Sequence, residues 1–100
     1  MKMEVYMRVR ETIDHYMVAM CDKALLNKTL VKGDLEFKVS EEFYGDKLVH
    51  VDDCLKHLEK ATIVNIVGKT TVDVAIEAGM VHKDAVVDIQ GHPHAQWVQL

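Results

Sequence analysis

One hundred residues set the scale of one domain, with no room for a catalytic domain beside a separate binding domain. About half the residues are apolar (49%) and 28% are charged, so the chain can bury a core without metal or disulfide staples. The formal net charge of −4 excludes a surface coated in phosphate contacts but leaves room for a local basic patch.

Met3, Val5, Met7 and Val9 alternate with Lys2, Glu4, Tyr6, Arg8 and Arg10, the period-two pattern of a half-buried strand. A polar break over Glu11 to His15 and an apolar run from Tyr16 to Cys21 follow. The two segments predict an antiparallel hairpin whose second strand is the more buried. Asp22 is placed to cap a short helical turn through Ala24, Leu25 and Leu26. Lys32-Gly33-Asp34 reads as a turn between Thr29–Val31 and a strand in which Leu35, Phe37 and Val39 alternate with Glu36 and Lys38. Ser40 to Gly45 is a loop or a single helical turn, and Lys47 to Val51 a further short strand.

Asp52 and Asp53 open the clearest amphipathic helix, since carboxylates complement the positive end of its dipole. Cys54, Leu55, Leu58, Ala61 and Thr62 fall on one face of it. Ile63 to Val67 is either a buried strand or a continuation of that helix. Gly68 breaks the run, Thr70 or Thr71 is placed to cap a second helix, and Gly79 ends it. Val86 to Ile89 and Ala95 to Leu100 read as late strands. The pattern predicts one α+β domain over residues 1–100, with a small, mixed, mainly antiparallel sheet and two principal helices between early and late strands.

The N-terminus carries charges where a secretion signal needs an apolar run. No segment approaches the roughly 18 apolar residues of a membrane span. Cys21 and Cys54 sit in apolar stretches and read as buried thiols of a reducing compartment. A cytoplasmic protein with no membrane partner is therefore expected, where Asn27-Lys28-Thr29 has no use as a glycosylation acceptor.

Val67-Gly68-Lys69-Thr70-Thr71 has the ending of a phosphate-binding loop, but Ile63 stands where its first glycine is needed. A nucleotide hydrolase is therefore excluded. His92-Pro93-His94 can turn two imidazoles to one side, yet no second ligand pair has clear spacing. A closed zinc site needs four ligands, so neither a metal nor another cofactor is expected. Cys21, Asp22 and a histidine such as His94 are the residue types of a cysteine-dependent hydrolase or transferase, if the histidine comes within hydrogen-bond reach. Lys2, Tyr6, Arg8 and Arg10 share the polar face of the first strand, with Lys38 on a matching face of a neighbouring strand. Cations beside an aromatic ring on an exposed sheet can hold phosphates and stack a base. Trp97 reads as core or as an oligomer contact, and the methionines of the first two strands as adaptable core packing.

Several strings occur together and in order: Ala19-Met20-Cys21-Asp22 with Leu25-Leu26, Ser40 to Gly45, Ala61-Thr62-Ile63 with Asn65, Gly68 leading into Val72 and Ala75 to Gly79, and Pro93-His94-Ala95-Gln96. In this combination the chain resembles an archaeal family of short proteins known as domain of unknown function four-two-four. The resemblance implies an archaeal cytoplasmic protein with no established activity, in a family whose members are sometimes labelled RNA-binding. It marks Cys21, Asp22, Tyr44, Asn65, His94 and Gln96 as the positions in those strings with the most chemical potential. His92 stands where the family pattern has an apolar residue, so the resemblance implies no His-Pro-His metal site. The expected function is a non-enzymatic binding module for RNA or a translation-related assembly, with a homodimeric interaction domain as the alternative.

Overall fold

The computed structural model describes residues 3–99. The first strand, β1, spans Glu4–Glu11 and the second, β2, spans Tyr16–Asp22. They pair antiparallel in unbroken register from Val5↔Asp22 to Glu11↔Tyr16. The loop between them is closed by the Thr12 amide donating to the His15 carbonyl and by the Thr12 hydroxyl accepting from the His15 amide. A 3-10 turn over Lys23–Leu25 leads to a separate hairpin of β3 (Thr29–Lys32) and β4 (Leu35–Lys38). Next come α1, a single turn over Glu41–Tyr44, then β5 (Leu48–His50) and α2 (Val51–Lys60). The ambiguous run after α2 is the strand β6 (Ile63–Val67), as its β-branched residues favour. Helix α3 (Lys69–Glu77), β7 (Val87–Ile89) and β8 (His92–Val98) complete the described chain.

The principal sheet has the order β5-β1-β2-β6-β8-β7. Only β2 and β6 pair in parallel; the other neighbours are antiparallel. This is the expected α+β class, with the sheet mixed and mainly antiparallel. The central strands are the most buried, with Val18, Ala19, Met20 and Cys21 of β2 and Val64, Ile66 and Val67 of β6 fully enclosed.

Alternation along these strands separates two cores. On one face Val5, Val18, Met20, Val64, Ile66 and Ala95 pack beneath α2 and α3, which contribute Cys54, Leu58, Val72 and Ala75. Trp97 packs against this core. Leu55 does not join it and remains 40% exposed on the outer surface of α2. On the other face Ala19, Cys21 and Val67 pack with Leu25, Leu30, Val39 and Tyr44 from the 3-10 turn, the small hairpin and α1.

Two sequence expectations about caps change. Asp22 makes no side-chain cap on its own 3-10 turn, and Gly68, not a threonine, occupies the N-cap position of α3. Asp22 instead accepts from the Thr70 and Thr71 amides at 3.0 and 2.9 Å, capping a helix far along the chain. The Thr71 hydroxyl donates to the carbonyls of Val67 and Gly68. Gly68 has φ +109°, and a Cβ there would fall on the Asp22 side chain, so glycine serves both conformation and space.

Candidate functional site

The pairing register sets three rows of side chains on the face opposite α2 and α3. Arg10, Met17, Ile63 and Val98 form the first row, and Arg8, Ala19, Asn65 and Gln96 the second. Tyr6, Cys21, Val67 and His94 form the third. Tyr6, Arg8 and Arg10 therefore share one sheet face with Asn65, His94 and Gln96.

The third row lies beneath other elements. Cys21 and Val67 are fully buried, Tyr6 packs against the same core, and Phe37 of β4 meets the His94 ring edge-on at 4.9 Å. Tyr44 reaches down from α1 and its hydroxyl donates to Asn65 Oδ1 at 2.6 Å. His94 Nε2 lies 3.3 Å from the same oxygen. With that oxygen as acceptor, His94 carries its proton on Nε2. Burial holds the His94 imidazole below its ordinary value of 6.5, so the ring is neutral near pH 7. Burial, and then the neighbouring Cys21, pushes the Tyr44 hydroxyl upward. The Asn65 oxygen is thus occupied twice, and its Nδ2 has no protein partner among the described residues. Asn65 presents only donors to anything that approaches.

Gln96 stands directly opposite Asn65 on β8 and is exposed. Tyr44, Asn65 and His94 therefore form one hydrogen-bonded group, with Gln96 beside it as an open neighbour. In the first row, Met17 and Ile63 are half-buried and Val98 is 52% exposed. These side chains form an apolar strip along the open half of the face.

The two arginines are more constrained than a solvated strand face requires. Helix α1 lies along β1: Arg8 donates to the Glu41 carbonyl at 3.4 Å, and Arg10 to the carbonyls of Glu42 and Phe43 at 2.6 and 3.1 Å. The Arg10 guanidinium also lies 5.2 Å from the centre of the Phe43 ring. Their charge satisfies carbonyls at the end of a short helix. Gly45 makes this docking possible, because at φ +96° it passes so close to β1 that a Cβ would sit 2.7 Å from the Met7 carbonyl oxygen. Each guanidinium has five N–H groups, so neither arginine is exhausted by these bonds. Lys38 lies on β4, which pairs with β3 and not with the principal sheet. Lys2 lies outside the described residues.

Cys21 is fully enclosed, and burial followed by the Asp22 charge pushes its thiol up to about 12. Val67 stands between Cys21 and His94 in their row, and two strand spacings of about 4.8 Å exceed hydrogen-bond reach. Cys54 is likewise buried, at about 11, from burial and then Asp53. Both thiols are free. Asp22 is engaged at the N-terminus of α3. Among the described residues no three His, Cys, Asp or Glu side chains are grouped to hold a metal ion. Nor is any helix long and apolar enough to cross a membrane.

Comparison with known proteins fits this geometry to a family. Residues 10–100 match the family model described as Protein of unknown function (DUF424). The chain belongs to this family. The match spans β2, β6 and β8, the strands that carry Asn65, His94 and Gln96, and begins at Arg10 near the end of β1. This DUF424 chain is also similar in structure to an uncharacterised conserved protein from the archaeon Methanopyrus kandleri. The TM-score is 0.82 at 25% identity, covering 97% of this chain and 94% of that one. No curated protein matches the chain.

Sequence reasoning missed the parts played by Phe37 and Phe43. Phe37 carried a usable signal, since its alternation with Glu36 and Lys38 already marked an inward position. Phe43 had none, because one helical turn has no periodicity to read.

Proposed function

We propose that this chain is a non-enzymatic binding module that takes an extended single strand of RNA across the open half of its sheet face. The observation that supports the reading is the row Arg8, Ala19, Asn65 and Gln96, continuous across four paired strands. It sets a guanidinium, a donor-only amide and an exposed amide along one row, with Ala19 between them enclosed in the core beside Tyr44. Arg8 and Arg10 at one margin suit phosphate oxygens, which make up a large share of nucleic-acid contacts. The Asn65 amide donates toward base carbonyls, Gln96 can donate or accept, and Met17, Ile63 and Val98 offer apolar contact to sugar and base. Sequence-specific RNA recognition favours single strands, whose splayed base edges such a surface can reach. A translation-related assembly would supply RNA of this kind, and a cytoplasmic setting agrees with two free thiols.

The reading is tested by titrating a labelled single-stranded RNA at two salt concentrations. If two phosphates are held, affinity falls about sevenfold between roughly 50 and 200 mM salt, from a slope of about −0.7 per contact. Gln96→Ala and Asn65→Asp variants weaken binding, the second by placing a negative charge among the donors. No binding at low salt, or binding that neither salt nor these variants alter, would overturn the reading.

A further inference from the structure

The opposite side of the molecule carries a second surface, which does not rest on the RNA reading. Helices α2 and α3 cover the other sheet face and leave a groove of about 400 Å³ between them. Leu55, Val74 and Met80 line it with apolar surface, and Asp52, Glu59 and Glu77 bring three carboxylates to it. All three acidic residues are exposed. Among the described residues no lysine, arginine or histidine lines the groove, although Lys56 and Lys60 lie elsewhere on α2. Among the described residues none of the three carboxylates forms an ion pair, the His82–Asp84 contact lying apart from them.

Leu55 is the unexpected member. Its place in the helical pattern assigns it to the buried face with Cys54 and Leu58, yet those two are 0% and 1% exposed while Leu55 is 40% exposed. With Val74 and Met80 it makes contiguous apolar surface along the groove, and such a patch, unlike a lone exposed leucine, suits docking. The charge pattern narrows the occupant. A symmetric pair of copies meeting through this groove would bring the same patch against itself. Asp52, Glu59 and Glu77 of each copy would then face like charges. A partner with apolar side chains flanked by lysine or arginine meets both the floor and the rim favourably.

We propose that the groove between α2 and α3 docks a basic amphipathic helical segment of another protein, its apolar side chains seated on Leu55, Val74 and Met80 and its cations on Asp52, Glu59 and Glu77. The module would then hold a protein partner on one side of the sheet and leave the Asn65 face free on the other. Lengthwise seating of a helix in a groove is a recurrent mode of peptide recognition.

The test uses the full chain and a synthetic helical peptide of leucine and lysine, with a leucine–glutamate peptide of the same spacing as control. The lysine peptide is expected to bind and to shift the methyl signals of Leu55, Val74 and Met80, and the glutamate peptide is not. Leu55→Asp and the pair Glu59→Lys with Glu77→Lys are expected to weaken binding at least tenfold. Glu36→Lys, one such charge reversal placed on β4, is expected to leave it within twofold. These exposed positions keep the variants folded, which circular dichroism checks. Binding that Glu36→Lys weakens as much as the groove variants do would reveal only general attraction to an acidic protein, and would overturn the proposal. So would equal binding of both peptides, or a dimer that Leu55→Asp dissolves, since a second copy would then be the occupant. RNA binding that persists while peptide binding fails would overturn this proposal alone.

Discussion

Asp22 and Thr71 lie 49 positions apart in the chain and are joined by a 2.9 Å hydrogen bond from the Thr71 amide to the Asp22 carboxylate. With the Thr70 bond beside it, the end of β2 supplies the capping oxygens that the start of α3 lacks. Carboxylates at helix N-termini gain from both hydrogen bonding and the dipole. Asp22→Ala is therefore expected to cost about 1–2 kcal/mol, read as a lower denaturant midpoint with an unchanged slope. Gly68→Ala is expected to cost more, because it adds strain at positive φ to a clash with Asp22. A loss below about 0.3 kcal/mol for Asp22→Ala would show the cap to be dispensable, given the usual size of such caps.

Cys21 is expected to be inert in the folded protein. A thiol pushed up to about 12 holds almost no thiolate at neutral pH. Its modification by a disulfide reagent should follow global unfolding and rise with denaturant. Cys21→Ala should leave RNA binding within twofold. Rapid labelling of Cys21 in native conditions would revive the nucleophile reading.

His94 makes stability depend on pH in a stated direction. Its folded value is held below 6.5 by burial, so below that pH the unfolded chain takes up the proton first. Stability from the neutral ring is present above 6.5 and is lost as pH falls from there toward the lowered folded value. A urea series at pH 7.5, 6.5 and 5.5 should show the loss, and His94→Gln should reduce it. Ring nitrogen shifts should report the Nε2–H form at pH 7. A His94 that titrates at or above 6.5 in the folded protein would contradict the assignment.

Tyr44→Phe removes the 2.6 Å bond to Asn65 and leaves the His94 contact in place. The expected cost is about 1–3 kcal/mol, because the pairing of a half-buried amide oxygen is weakened. The Asn65 amide also gains freedom to rotate, so RNA affinity should fall although Tyr44 itself is only 1% exposed. Unchanged affinity with reduced stability would make Tyr44 purely structural.

Much of this was legible in the sequence because alternation and amphipathicity report burial directly. The β1–β2 hairpin, α2, and the last strands follow from Val5, Met7, Val9, Leu58 and their spacing. The parallel pairing of Ala19 with Asn65 was not legible, since register between distant segments has no local signal. That pairing is what brings Asn65 into line with Arg8. That Asp22 caps α3, a helix the sequence does announce, was hidden for the same reason, since its partners lie far along the chain. The polar face of β1 looked open because α1, only one turn long, gives no sign of where it docks. Arg8 and Arg10 consequently serve two ends, and alanine there would confuse lost α1 docking with lost phosphate contact. Gln96 and Asn65 are the cleaner positions to change.

The most direct test of the central claim is a backbone and side-chain amide shift map of the full chain titrated with a short single-stranded RNA. The account predicts the largest shifts at the side-chain amides of Asn65 and Gln96, with further shifts along Arg8, Arg10, Met17 and Ile63 and little change on α2 and α3. Shifts absent at saturating RNA, or centred on the helical side while Asn65 and Gln96 stay still, would contradict it.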